Sequence, residues 1–142
     1  SIRDVQGIIV ARYWANINEA NLVEKVEPLN GFEDKPDSEC IDYLRALNKD
    51  AKATWIEAYK SRVDNPRGNY PSRGYSYLPE QNVFIGEKPY PSWTLSSDNR
   101  AWEPPVAKPT YPDWTADAEQ TAEERAAAEK IWSWDEDSQS WV

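Results

Sequence analysis

Hydrophobic and polar positions alternate near the start of the chain in the manner of a β-hairpin. Most residues at positions 8–17 are β-branched or aromatic, and a second run, at 22–26, follows the polar stretch 18–21. β-branched and aromatic residues favour half-buried strands, and the polar stretch between the two runs favours a turn. The pattern therefore predicts a hairpin that ends near Pro28 and the Asn30-Gly31 pair.

The apolar spacing then changes to that of a helix. Ser38 is suited to cap such a helix, because its hydroxyl can accept a hydrogen bond from a backbone N–H of the first turn. One face of the helix would carry Cys40, Ile41, Leu44 and Leu47. We expect this face to cover the hairpin. Cys40 is then a small buried hydrophobic residue. As the single cysteine, it cannot form a disulfide within the chain.

The next run, 54–59, favours a strand, although 51–59 could also continue as helix. Loop chemistry follows from Asp64, and the composition shifts at about Gly74. Seven of the eleven prolines fall between Pro79 and Pro112, which predicts short strands joined by extended connectors. We therefore divide the chain into an N-terminal α+β layer, 1–73, and an aromatic hairpin region, 74–142, that together form one cooperative unit.

A second helix is predicted from Thr115 to Lys130. Thr121-Ala122-Glu123-Glu124 matches a capping box, and the following alanine, glutamate and arginine residues have high helix propensity. Its only apolar face is made of alanine, at Ala118, Ala122 and Ala126. A face of alanine gains little from packing, so we expect this helix to be exposed or to lie against a partner.

Three segments of the hairpin region share one spacing. In each, two residues separated by two positions are followed seven residues later by an aromatic residue, which in an antiparallel hairpin can lie across from the second of them on the same face. The predicted clusters are Tyr75, Tyr77 and Phe84; Trp93, Leu95 and Trp102; and Trp132, Trp134 and Trp141. The turns would centre on Glu80-Gln81, Asp98-Asn99 and Asp137-Ser138, with two-residue or four-residue loops.

These elements predict an α+β protein that is mostly β. Few aliphatic residues are present, and eight Trp with eight Tyr replace them, so the core should be aromatic. The net charge of −9 repels phosphate backbones, which argues against a nucleic-acid partner. No run of about 18–20 apolar residues is present to span a membrane.

Catalytic and metal chemistry find little support in the composition. The chain has no histidine and one cysteine, which excludes histidine-dependent triads and His/Cys zinc sites within it. The acidic run Asp135-Glu136-Asp137 lacks the glycine and glutamate of a calcium loop and is interpreted as a solvated turn. We therefore predict no catalytic residue, no metal and no cofactor.

Some aromatic residues fall outside the hairpin register. Tyr111 and Trp114 have no predicted hairpin partner, and Tyr90 lies in a proline-rich connector, so these three are the candidates for contact with a partner. Exposed tyrosine and tryptophan can also stack on sugar rings. A glycan-binding module therefore stays open as an alternative.

Several stretches resemble small hypothetical or virion structural proteins of marine tailed phages, particularly cyanophages. The more specific are Lys88-Pro89-Tyr90-Pro91-Ser92-Trp93, Trp102-Glu103-Pro104-Pro105-Val106 and the closing Ser140-Trp141-Val142. The extension 2–10 and the helix 115–130 depart from the shorter forms of that family. The resemblance implies a particle component made in the host cytoplasm, and it carries over no catalytic residue.

The predicted function is therefore a virion structural protein on the capsid or tail, with a preference for an exposed decoration role. Its partners would be other virion proteins or further copies of itself. The alternatives are a host-recognition module that binds glycan, through Trp114 above all, and a tail-fibre assembly chaperone that is absent from mature virions. If the last hairpin is integral to the fold, Trp141→Ala should cost about 3–5 kcal/mol.

Overall fold

A computed structural model describes residues 4–5, 8–9, 11–109 and 121–142, with the backbone alone at 4–5, 8–9 and 127–128. Within these residues the chain forms small antiparallel hairpins, one three-stranded sheet and two short helices. This confirms the predicted α+β, mostly β, class.

The elements follow one another in this order along the described residues. The strands are β1 (Asp4–Val5), β2 (Ile8–Ile9), β3 (Arg12–Ile17), β4 (Val23–Leu29), β5 (Thr54–Ala58), β6 (Ser76–Leu78), β7 (Val83–Ile85), β8 (Thr94–Leu95), β9 (Trp102–Glu103), β10 (Trp134–Asp135) and β11 (Ser140–Trp141). The helices are α1 (Asp37–Leu47), between β4 and β5, and α2 (Ala122–Glu129), between β9 and β10.

The chain divides into two compact units. The first unit comprises Ser1–Glu87 and Ser96–Ala101, and the second comprises Lys88–Leu95 and Trp102–Val142. The division falls after Glu87, beyond the composition shift at Gly74, because the first aromatic hairpin packs on the N-terminal sheet. Each unit therefore has aromatic packing of its own.

The first unit is built on the three-stranded sheet β4-β3-β5. Both neighbours of the central strand β3 run antiparallel to it, with Trp14 paired to Glu27 on one side and to Glu57 on the other. Alternate residues face opposite sides of a strand. Trp14 and Trp55 lie on the same side as α1, where they pack with Cys40 and Leu44 in one buried cluster. This is the predicted contact between helix and hairpin.

Four details of the N-terminal layer differ from the prediction. The strand expected from Ile8 begins at Arg12, since Ile8–Ile9 pairs instead with Asp4–Val5. Pro28 lies inside β4, where it is tolerated because β4 is an edge strand.

The other two details concern α1. Its N-cap residue is Pro36, and no side-chain hydrogen bond caps it, so Ser38 lies within the first turn. Cys40 and Leu44 are fully buried as expected, but Leu47 at the last turn is 56% exposed. Leu47 therefore lies outside the buried cluster that Cys40 and Leu44 join. The segment 54–59 forms the strand β5, as predicted.

The opposite face of the sheet is covered by the first aromatic hairpin, β6–β7. Phe84 is fully buried and packs with Ala15, Ile17 and Ala58. Backbone hydrogen bonds attach the hairpin to the start of β4, with Val23 N–H donating to the Tyr75 carbonyl at 2.8 Å. The first unit is therefore layered as helix, sheet and hairpin.

The three C-terminal hairpins pair the residues that the seven-residue spacing brought together. The observed partners are Tyr77 with Phe84, Leu95 with Trp102, and Trp134 with Trp141. Two of these pairs also have ring centroids 5.3 Å apart.

The hairpin turns are of the longer of the two predicted kinds. Leu78 pairs with Val83 and Asp135 with Ser140, so four residues lie between each pair. Asn82 and Gln139 close these turns with φ of 57° and 48°, a left-handed conformation that reverses the chain without a glycine.

The alanine-rich helix is described from residue 121 onwards. The Thr121 hydroxyl accepts a hydrogen bond from the Glu124 N–H at 3.0 Å, which confirms the predicted N-cap. Ala122 and Ala126 are exposed, and Ala118 lies outside the described residues.

Neither of the helices in the described part of the chain is long and apolar enough to cross a bilayer.

Candidate functional site

The second unit is organised around three tryptophans. Trp134 and Trp141 face each other across β10–β11, and the Trp93 ring packs on both, with centroids 6.0 Å from Trp134 and 6.3 Å from Trp141. All three contacts are edge-to-face, the arrangement that aromatic quadrupoles favour. Trp134 is the deepest member at 8% exposure, and the other two are half-buried. We call Trp93, Trp134 and Trp141 the tryptophan cluster.

A single carboxylate fastens the tryptophan cluster. Glu136 accepts hydrogen bonds from the hydroxyl and the backbone N–H of Ser92, at 2.6 and 3.0 Å, and from Trp134 Nε1 at 2.9 Å. The bonds to the Ser92 hydroxyl and to Trp134 hold the pKa of Glu136 below its ordinary value of 4.5. The prediction of a solvated acidic turn is therefore wrong for Glu136, although its neighbour Asp137 is exposed. Ser92 is far away in sequence, and no local pattern signals the contact.

The depressed pKa of Glu136 predicts a pH-dependent stability of the second unit. A carboxyl whose pKa is lower in the folded state stabilises the protein above its ordinary, unfolded-state pKa, and the contribution is lost as the pH falls through the folded-state value. Glu136→Gln should therefore lower the melting temperature at neutral pH, and the difference should vanish in acid. Thermal unfolding followed by circular dichroism measures this, with Asp137→Asn as the control. A difference that persists unchanged in acid would contradict the assignment.

An open groove lies beside the tryptophan cluster. Its volume is about 670 Å³, and its walls include the rings of Trp93 and Trp141 together with Pro104, Pro105 and Ala107. Glu103 and Lys108 add one charge of each sign. The groove has a fixed wall because Trp141 Nε1 donates to the Val106 carbonyl at 2.8 Å, which ties the proline segment to the cluster. We call this the tryptophan groove.

Large apolar side chains are exposed in the same unit. Val106 is 49% exposed, Val142 is 55% exposed and Ile131 is 88% exposed. Val106 and Val142 are next in sequence to groove residues. Exposed apolar residues grouped near a groove are typical of protein-binding surfaces, whereas scattered ones are ordinary.

Of the three residues predicted to contact a partner, the structure describes one, Tyr90. Tyr90 is half-buried and packs on Trp93 at 5.7 Å, so it supports the tryptophan cluster from one side. Tyr111 and Trp114 lie outside the described residues.

The structure divides the predicted aromatic clusters between the units. Tyr75 and Tyr77 pack with Phe84 in the first unit, as the spacing predicted. Leu95 pairs with Trp102 in the second unit, where Lys88 Nζ lies 5.5 Å from the Trp102 ring centroid. Trp93 departs from its expected partners and joins the third hairpin.

Trp132 is the other departure from the predicted clusters. Among the described residues it makes no ring contact with the tryptophan cluster, and Lys130 Nζ lies 4.1 Å from its ring centroid. Strand β10 begins only at Trp134, so the two-residue spacing that would bring Trp132 to the same face does not apply.

A buried charged cluster in the first unit was missed by sequence reasoning. The Arg12 side chain is fully buried and forms a two-point ion pair with Glu57, which is 4% exposed. The two N···O distances are 2.7 and 2.9 Å. The remaining acceptors are Asp37 Oδ1 at 2.6 Å, the Lys35 and Phe32 carbonyls at 2.8 and 3.2 Å, and Cys40 Sγ at 3.1 Å. The hydrogen bonds that the guanidinium donates to Glu57, and then to Asp37, raise its pKa although burial opposes them.

The Arg12 cluster has a structural role. It joins β3 to β5 and to the start of α1, and its positive charge is matched by two carboxylates. Such a cluster fixes the arrangement of these three elements. Among the described residues, no group of three histidine, cysteine or acidic side chains is placed to hold a metal ion.

Comparison with known proteins gives no family assignment. No family model, no curated protein and no solved structure matches this chain.

Proposed function

We propose that this chain is a structural protein of a tailed-phage particle, and that it binds other virion proteins through the tryptophan groove. The observation that carries the proposal is a rigid aromatic groove bordered by exposed apolar side chains in one compact unit. The resemblance of Lys88–Trp93 and Ser140–Val142 to marine phage proteins supports the same assignment.

The groove suits binding without a large loss of conformational freedom. Its tryptophan walls are held by ring contacts and by the bonds to Glu136 and Val106, so they lose little freedom when a partner binds. Aromatic residues in such settings supply much of the energy of protein interfaces. The absence of histidine and the burial of the single cysteine support a binding role over an enzymatic one.

The location that we propose is an exposed position on the capsid or tail. The net charge of −9 suits a surface that faces solvent, and it disfavours contact with nucleic acid inside the particle. The partner would place an apolar side chain in the groove against the rings of Trp93 and Trp141, with charges able to face Glu103 and Lys108. A second copy of this chain is the competing partner.

We also propose that the three aromatic hairpins are copies of one repeated motif. The same separation joins Tyr77 to Phe84, Leu95 to Trp102 and Trp134 to Trp141, and a proline-rich connector follows each of the first two copies. Repetition of a hairpin that cannot bury both faces alone gives each copy a different neighbour to pack against.

The location is tested by mass spectrometry of purified virions. We expect the chain to be present at a fixed number of copies per particle. Its absence from mature particles would overturn the structural assignment and favour an assembly chaperone.

The role of the groove is tested by a phage that carries Val106→Asp. A charge placed at the groove should reduce the copies of the chain per virion roughly tenfold or more. Val63→Asp is the matched control, because Val63 is 74% exposed and belongs to the first unit. Full incorporation of the Val106 variant would contradict the groove, and analytical ultracentrifugation of both variants identifies a second copy as the partner if only Val106→Asp dissociates an oligomer.

A further inference from the structure

The first unit contains a cationic cavity on an otherwise acidic protein. The cavity has a volume of about 460 Å³, within the range of about 300–1,000 Å³ that small-molecule sites occupy. The residues that line it and matter here are Lys60, Arg62, Arg100, Asn69, Tyr70 and Tyr75. Three positive charges around one cavity contrast with the net charge of −9.

These positive charges form no ion pair with a carboxylate in the described part of the chain. Over residues 11–109 and 121–142, no carboxylate lies within 4.0 Å of the side-chain nitrogens of Lys60, Arg62 or Arg100. Asp98 is close enough to interact electrostatically with Arg100, but its carboxylate accepts hydrogen bonds from the Ser96 hydroxyl at 2.6 Å and from the Arg100 backbone N–H at 3.1 Å. The cavity therefore offers a positive potential that an anion can satisfy.

Two of the three cationic groups, those of Lys60 and Arg100, are held in position before any ligand binds. Arg100 Nη2 donates to the Arg62 carbonyl at 2.9 Å, and Asn69 Nδ2 donates to the Arg100 carbonyl at 3.0 Å. Lys60 Nζ lies 4.4 Å from the Tyr13 ring centroid and 5.5 Å from that of Tyr70. A site whose charges are already ordered loses little entropy on binding.

The tyrosines add an apolar wall with polar tips. Tyr70 packs edge-on against Tyr13 at 5.7 Å, and Tyr75 is half-buried against the core. Burial raises the pKa of Tyr70 although Lys60 opposes the shift, so its phenol stays protonated and able to donate at neutral pH. Rings of this kind can stack on the C–H face of a sugar, and protonated phenols can bond its hydroxyls.

We propose that this cavity binds an acidic saccharide, with its carboxylate or sulfate facing Lys60, Arg62 and Arg100 and a sugar ring against Tyr70 and Tyr75. A small inorganic anion would satisfy the charges but would leave the tyrosine wall unused. An acidic peptide would also meet the charges, yet it presents no flat C–H face to the tyrosine rings. The observations therefore favour the saccharide. This site lies in the first unit and is independent of the tryptophan groove.

The experiment is isothermal titration calorimetry of the full chain with oligogalacturonate and with a sulfated galactan oligosaccharide. We expect at least one of the two to bind, with affinity that falls as salt is raised. A neutral oligosaccharide of the same length and a polyglutamate peptide are the comparison ligands, and we expect neither to match the acidic sugar.

Variants place the binding in this cavity. Lys60→Gln and Arg62→Gln, both at exposed positions, should each weaken binding roughly two- to fivefold, as expected for single charges at the surface. Lys52→Gln is the matched control, since Lys52 is exposed and does not line the cavity. The proposal is overturned if neither acidic sugar binds, if the peptide or the neutral sugar binds as tightly, or if the cavity variants bind as well as the Lys52 variant.

Discussion

Replacing Glu57 with glutamine is expected to lower the free energy of unfolding by about 3–5 kcal/mol, the usual cost of removing one partner of a buried ion pair. Arg12 has no exposed side-chain surface, and Glu57 is its only buried carboxylate among the described residues. Glutamine keeps the shape of the side chain but removes the charge. The guanidinium would then remain buried with only the exposed Asp37 to balance it.

The matched control for Glu57→Gln is Asp37→Asn. Asp37 bonds the same guanidinium at 2.6 Å, but its side chain is 67% exposed. Solvent screens such a pair, so the expected loss is about 1 kcal/mol or less. Urea unfolding of both variants measures the difference, and equal losses would contradict the special role of the buried pair.

A double variant separates charge burial from loss of packing. Arg12→Met together with Glu57→Met removes both charges and keeps apolar volume in their place. Exchanges of this kind are often neutral or stabilising, because no charge is left without a partner. The double variant should therefore be more stable than Glu57→Gln alone.

Trp134→Ala is expected to destabilise the second unit by about 3–5 kcal/mol, because truncation of a buried aromatic side chain removes apolar contacts and leaves a cavity. Trp134 contacts both other members of the tryptophan cluster and also donates to Glu136. Its loss would remove the central packing of β10–β11. Amide exchange at Ser133 and Val142, whose backbones bond each other at 2.8 and 2.9 Å, reports the stability of this hairpin directly.

The three tryptophans of the last hairpin form a graded series for the same measurement. Trp141→Ala should cost less than Trp134→Ala, because Trp141 is half-buried whereas Trp134 is buried. Trp132→Ala should cost about 1 kcal/mol or less, the value of its contact with Lys130. A Trp132 variant as unstable as the Trp134 variant would show that Trp132 belongs to the cluster.

Local patterns in the sequence predicted the hairpins well. The separation of seven residues between Trp134 and Trp141 indicates the pairing register, because side chains alternate from face to face along a strand. The same argument placed Tyr77 opposite Phe84. The choice of a four-residue loop could not be made, since Asn82 and Gln139 adopt left-handed conformations that neither residue type requires.

Long-range polar contacts were beyond sequence reasoning. Ser92 meets Glu136 across 44 residues, and Arg12 meets Glu57 across 45. One signal was present for the second pair, because Arg12 alternates in phase with buried Trp14 and Glu57 with buried Trp55. An inward-pointing charge on each of two neighbouring strands predicts a buried pair, provided that the strand order is known.

The reach of Arg12 also bears on how the chain emerges from the ribosome. Strands β3 and β4 and helix α1 are all synthesised before Glu57. Until Glu57 is added, the Arg12 guanidinium has no buried carboxylate to which it can donate its hydrogen bonds. The opposite core is completed later still, when Phe84 arrives. Stable folding of the first unit during synthesis therefore waits for β7, and a nascent chain stalled before that strand would expose its aromatic sheet to chaperones.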